Sequence, residues 1–216
     1  MPNSFEFNGT GGIIEGNLGA ANVDVNLDAS VRLSTGNTSG EGNYVGIPSN
    51  ADIEALETGG TVSAWCKFNS AGSGGNYPNV IGLGTGGASG LNVGIFRHST
   101  NDTLFYSVKF ADGTNTYLGS SGITLGTWNH VAISFDSGAY NSYFNGVLVN
   151  NNTTAQDLFT LGTQTRNGDS LCGAIGTNLN NVESNTNDME VADARIYSSA
   201  LGIDDIKILA SKIQSE

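Results

Sequence analysis

Between Trp128 and Asn151 the chain reads WNHVAISFDSGAYNSYFNGVLVNN, and this stretch restricts the fold more than any other. Val131, Ile133 and Phe135 alternate with Ala132 and Ser134, a period of two that sends one row of side chains toward a core. After the Asp136-Ser137-Gly138 turn the chain resumes through Tyr140, Tyr143 and Phe144. It then meets Asn145-Gly146, the dipeptide best suited to the positive φ values of a type I′ hairpin turn. Val147 and Val149 supply a third strand, so the stretch predicts consecutive antiparallel strands joined by tight turns.

Composition agrees with a sandwich of short strands. The 216 residues include 31 glycines and only 3 prolines, and charged residues make up 13%. A length of this size fits one all-β domain, and 38% hydrophobic residues with alternation nearly throughout exclude global disorder. Eight basic against 20 acidic residues give a net charge of −12, which repels a nucleic-acid backbone and an anionic membrane surface. The acids are dispersed, as on a solvated surface. Cys66 and Cys172 are too few for a cysteine zinc site, and Cys66 shares a strand face with Val62, Ala64 and Phe68, where it reads as a buried free thiol. The first residues, MPNSFEFNGTGG, carry neither a cationic start nor an apolar run, and no segment is long enough to span a bilayer. The expectation is a protein made in a cytoplasm without membrane insertion.

Residues 1–27 hold short alternating pieces separated by Gly and Asn and read as an N-terminal arm or edge strands packed on a main domain, residues 28–216. Within that domain Val31–Leu33, Tyr44–Ile47, Thr61–Phe68, Val80–Leu83, Leu91–Arg97, Thr103–Phe110, Thr116–Leu118, Leu158–Leu161 and Leu171–Ile175 read as further strands, and Asp52–Leu56 as one helical turn. Gly82-Leu83-Gly84-Thr85-Gly86 has no following helix and no lysine at the offset a phosphate loop needs. The last strand, Met189–Tyr197, places Met189, Val191, Asp193, Arg195 and Tyr197 on one face, so a buried Asp193 and Arg195 need each other. Ile203–Ile213 reads as a short helix with an apolar stripe of Ile206, Leu209 and Ile213.

Five pieces in a fixed order carry a resemblance: Thr61-Val62-Ser63-Ala64-Trp65, Gly126 to Ala132, Tyr143-Phe144-Asn145-Gly146, Ala174-Ile175-Gly176, and Asp193 to Tyr197 running on through Leu201 to Leu209. Over residues 28 to 210 the chain resembles the laminin-G-like group of the concanavalin A-like lectin/glucanase superfamily. The resemblance implies an all-β antiparallel two-sheet jelly-roll sandwich closed by a short C-terminal helix. Relatives hold a structural Ca²⁺ near the sheet ends, for which Asp28, Asp188 and Asp193 are the candidate ligands. The usual pair of acids before Arg-Ile-Tyr is here Ala192-Asp193, so one of the two is missing.

Hydrolysis would need two carboxylates across a cleft, about 5–9 Å apart. The alternating acids of the superfamily's hydrolases are absent from this sequence, and His130 beside Trp128 reads as a structural hydrogen-bonding residue. Two non-enzymatic readings follow. One is a structural or surface-display protein of a phage virion, of capsid-decoration or fibre type, assembling as a homo-oligomer or with other virion proteins through its sheet edges and arm. The other is a lectin-like module that holds a surface glycan on aromatic side chains, with Tyr77, Phe96, Tyr106 and Tyr117 as candidates.

Overall fold

The computed structural model describes residues 31–33, 44–49, 53, 55–70, 79–84, 92–98, 102–136, 139–153, 161–166, 169–176 and 188–211. Among these residues two antiparallel sheets account for thirteen strands. The first sheet runs, side by side, β1 (Val31–Leu33), β13 (Met189–Tyr197), β3 (Gly59–Phe68), β8 (Asn129–Asp136), β9 (Ala139–Phe144) and β10 (Val147–Thr153). The second runs β11 (Gln164–Arg166), β12 (Asp169–Ile175), β4 (Asn79–Leu83), β5 (Val93–Arg97), β6 (Thr103–Lys109) and β7 (Asn115–Gly122), with β2 (Val45–Pro48) also paired to β12. A 3₁₀ turn at Ala55–Thr58 leads into β3, close to the helical turn expected there, and an α-helix of nine residues, α1 (Ile203–Ser211), follows β13.

Alternation decides what lies between the sheets. Val62, Ala64, Cys66 and Phe68 of β3 and Val131, Ile133 and Phe135 of β8 face Ile81, Leu83, Ile95, Leu104, Tyr106 and Val108 of the second sheet in one buried cluster. Burial pushes the Cys66 thiol up to about 12, so it stays protonated and inert. Cys172 donates its S–H to the Pro48 carbonyl at 3.3 Å, and both cysteines are free.

The Asn145-Gly146 turn forms as the sequence predicts, with φ of 49° and 76°. Asn145 stitches it down: its backbone N–H donates to the His130 carbonyl and its Oδ1 accepts from the His130 N–H, both at 2.8 Å. Helix α1 carries Asp204 and Asp205 in its first turn, the favourable end for acids. It buries Ile206 and Leu209 against Ala132, Tyr143 and Tyr197 on the outer face of the first sheet.

Two expectations need correction. Leu161 is buried but belongs to no strand, β11 begins at Gln164, and residues 158–160 lie outside the described residues. On β3 the parity holds: Trp65 points away from Ala64 and Cys66 and is buried on the outer face of its sheet, edge-on to His130 at 5.3 Å between ring centroids. The larger correction concerns β13. Its pairing with β3 shifts between Ala192 and Arg195, and Asp193 takes φ 45° there. This bulge turns the strand over. Met189, Val191, Ala194 and Ile196 enter the core, whereas Arg195 and Tyr197 pair with Ser63 and Thr61 on the outer face. The arm, residues 1–27, lies outside the described residues.

A candidate binding shelf on the outer face of the second sheet

Strands β5, β6 and β7 bring four ring-bearing residues to one surface. In register, Phe96 stands opposite Phe105, and Tyr117 opposite Ser107. These positions have the parity opposite to Ile95, Leu104, Tyr106 and Val108, so their side chains leave the core. Phe96 and Phe105 stack at 5.8 Å with their planes 13° apart, Tyr117 meets Phe96 edge-on at 6.2 Å, and His98 lies 5.4 Å from Phe105. Tyr117 is 47% exposed, and Phe96, His98 and Phe105 are half-buried. The rings therefore form one contiguous, outward-facing shelf.

Its support is stiff. Directly beneath, Arg97 is 1% exposed; its guanidinium donates to the Ser70 carbonyl at 2.7 Å, pairs with Asp102 and lies 5.2 Å over the Phe68 ring. Asp102 in turn accepts the Ile123 N–H on its carbonyl at 2.6 Å, and His98 donates its N–H to the Thr103 carbonyl at 2.9 Å. The β5–β6 turn is thus tied to β3 and to the end of β7. Asp102, whose side chain is 51% exposed, stands beside Thr103 at the start of β6, and in the β6–β7 turn the exposed Asp112 accepts from the N–H and hydroxyl of Thr114. Chemically, a row of ring faces on a rigid sheet can stack a ligand; the rings offer no activated nucleophile.

Of the residues singled out from sequence, Phe96 and Tyr117 meet here. Tyr106 does not: it is fully buried, and its hydroxyl crosses the sandwich to donate to the Tyr143 carbonyl at 3.0 Å, tying the two sheets together. Phe105 and His98 were missed, although Phe105 has the outward parity of Phe96. Tyr77 and Asp28 lie outside the described residues.

Of the candidate Ca²⁺ ligands, Asp188 and Asp193 are described, and each is engaged by other side chains. Asp193 is buried against Arg195, and the pair with Asp193 and Tyr197 outweighs burial to hold the guanidinium above its ordinary pKa. Asp188 shares the Asn69 amide, at 3.4 Å, with Glu190, at 3.0 Å, and Glu190 is ion-paired with Lys67 at 2.9 Å. Among the described residues no three His, Cys, Asp or Glu side chains converge where a metal ion could sit. His130 also departs from expectation: its ring nitrogen Nδ1 is buried without a hydrogen-bond partner among the described residues. Burial and the Arg195 charge push its pKa down to about 3, so the imidazole is neutral.

Comparison with solved structures places the same architecture in several proteins. The binding domain of botulinum neurotoxin DC in complex with SialylT superposes with a TM-score of 0.61 at 17% identity, over 88% of this chain and 45% of the toxin chain. The same domain in complex with rat synaptotagmin II gives 0.63 at 16% identity, over 98% and 51%. Trypanosoma rangeli sialidase gives 0.52 at 15% identity, over 74% and 24%. This chain spans about half the length of the toxin domains, and at these identities the likeness is one of fold. No curated protein matches the sequence. The laminin G model described as the concanavalin A-like lectin/glucanases superfamily matches residues 39–207, and with the two-sheet sandwich in place the chain belongs to that family.

Proposed function

We propose that this domain is a non-catalytic recognition module that holds a saccharide on the shelf of Phe96, Phe105 and Tyr117. The observation that carries the reading is the contiguity of those rings, solvent-facing, on a sheet braced from below by Arg97. A sugar ring presents an apolar C–H face to stack on an aromatic face and hydroxyls to bond at the margin, and a flat, rigid platform meets both needs without reorganising. Toxin binding domains that contain the same fold are known in complex with SialylT and with rat synaptotagmin II, which supports a recognition role. The absence of catalysis is supported by the state of Asp188 and Glu190, which share the Asn69 amide, with Glu190 also ion-paired to Lys67. A glycan array tests the reading: wild-type protein retains a set of saccharides that a Phe96→Ala, Tyr117→Ala double variant releases. Equal retention by both proteins, or none by either, sinks it.

A second reading, self-assembly through a sheet edge, is favoured by β10. Its seven residues carry no charge, and Val147 and Leu148 are 63% and 44% exposed on the outermost strand of the first sheet. Pairing with another copy of this chain is what display on a phage particle would require. A monomeric mass by light scattering, unchanged by Val147→Lys, removes it.

A further inference from the structure

The register lines up one row across three strands of the shelf: Phe96 on β5 stands opposite Phe105 on β6, and Phe105 opposite Gly119 on β7. The row is aromatic on two strands and bare on the third. Phe105 stacks on Phe96 and lies beside His98, both on its β5 side. Its other flank looks toward β7, the outermost strand of the sheet, where Gly119 is exposed. Neither strain nor crowding calls for a glycine there. Gly119 does not take the left-handed backbone of Gly113 and Gly146. Among the described residues, the atoms nearest to a Cβ at Gly119 would be Thr103 Cγ2 at 3.5 Å and Cε1 and Cζ of Phe105 at 3.7 Å, ordinary van der Waals contacts. A glycine inside a strand gives up backbone entropy and packing, and it often marks the place where another group comes close. The bare peptide is also held in place: the Gly119 carbonyl accepts from Nδ2 of Asn150, on β10 of the first sheet, at 3.3 Å.

We propose, resting on the shelf reading above, that Gly119 is the specificity-determining residue of that site. One sugar ring lays its C–H face on the β7-facing flank of Phe105, with its edge over the Gly119 peptide. The missing side chain is what admits it, because a Cβ there already touches the Phe105 ring and a larger group would cover the flank. Phe105 can stack on both sides, on Phe96 within the protein and on the sugar outside it. The class that fits is a hexopyranose with one unbroken C–H face, as in β-glucosides and β-galactosides. Since β7 is an edge strand, the notch is open sideways and a longer saccharide can run on past it.

The Gly119 amide gives the notch its own signal. Titrating the ¹⁵N-labelled full chain with methyl β-glucoside, methyl β-galactoside, cellobiose or lactose to ~50 mM, well above a millimolar Kd, should shift that resonance saturably for at least one of them. Gly119→Thr should weaken binding of the same compound about tenfold, the loss of one stacking contact. Its thermal midpoint should rise by about 1–4 °C, because a β-branched residue replaces a strand glycine. A glycine with no part in binding would give the same rise with affinity unchanged. Gly122→Ala is the control: further along β7, its Cβ would lie 3.4 Å from the Asp102 carbonyl and should leave affinity as it was. If Phe96→Ala with Tyr117→Ala releases a saccharide that Gly119→Thr retains, this inference fails and the shelf stands. Equal weakening by Gly119→Thr and Gly122→Ala, or a lower midpoint in Gly119→Thr, also overturns it. So does a Gly119 amide unmoved by all four compounds, whereas the shelf itself falls only with the array result given above.

Discussion

The Asp193 carboxylate accepts a hydrogen bond from Nε of Arg195, two residues further along β13, across the bulge that reverses the strand's faces. Without the bulge, strict alternation would drive both charges between the sheets. With it, Asp193 takes a left-handed conformation at φ 45° and neutralises a guanidinium that is itself nearly buried. The pair and the bulge are one device. Asp193→Ala leaves Arg195 charged and unmatched, and removing one partner of a buried pair costs ~3–5 kcal/mol. Asp193→Asn keeps an acceptor and tolerates the left-handed conformation, so it should lose less. Urea unfolding of the two variants checks the order; equal losses would show that the acceptor and the left-handed tolerance kept by Asn contribute nothing beyond the lost charge.

His130 sets an acid limit on stability. Its folded pKa is pushed down to about 3 from an ordinary 6.5, by burial first and by Arg195 second. Above pH 6.5 both folded and unfolded states are neutral here and the full stability is present. As the pH falls from 6.5 toward 3 the unfolded state takes up the proton first and stability is lost, at up to about 1.4 kcal/mol per pH unit. Asp193 and Tyr197, the other groups gathered at Arg195, do not offset this, since the carboxylate is already matched to the guanidinium. Falling pH also relieves the repulsion of a chain at −12, which acts in the opposite sense. The comparison must therefore be between wild type and His130→Gln. Wild type should lose stability between pH 6.5 and 5 relative to the variant, and parallel curves would remove His130 as the cause.

Gly146 joins the hairpin turn to the C-terminal helix. At φ 76° any other residue is strained by ~1–2 kcal/mol, and a Cβ there would stand 3.1 Å from the Cβ of Ala210. Gly113 provides the control: its φ is 86°, with nothing within 4 Å of a Cβ. Gly146→Ala should destabilise more than Gly113→Ala, and the excess should appear as faster hydrogen exchange in α1. Equal effects would mean that the helix gives way without loss.

How far the residues foretell this molecule depends on whether the pleat is continuous. From Asn129 to Thr153 it nearly is, and the strands and the Asn145-Gly146 turn lie where alternation puts them. Along β13 one extra residue inverts the parity, and counting by twos sends Arg195 the wrong way. The clue was present in the sequence as two charges at apparently buried positions. The shelf was half legible for a related reason. Aromatic type alone selects Phe96, Tyr106 and Tyr117 together, whereas parity separates them, since Tyr106 falls in step with Leu104 and Val108 and Phe105 falls between. Stacking across strands depends on register, which single-strand patterns do not contain.

That separation supplies the sharpest test of the shelf. Tyr117 is half exposed and its removal takes little from the fold, so Tyr117→Ala should change stability by no more than ~0.5 kcal/mol. If a sugar stacks there, losing one ring should remove about 0.5–1.5 kcal/mol of binding, which corresponds to a several-fold to tenfold weaker Kd. Tyr106→Phe makes the opposite cut. It deletes the hydroxyl that reaches the Tyr143 carbonyl and should cost about 1 kcal/mol of stability, with no change in saccharide affinity because the ring stays between the sheets. Calorimetric unfolding and a binding titration on the two variants should therefore give crossed results. A loss of affinity in Tyr106→Phe as large as in Tyr117→Ala would place recognition elsewhere than on the outer face of β5, β6 and β7.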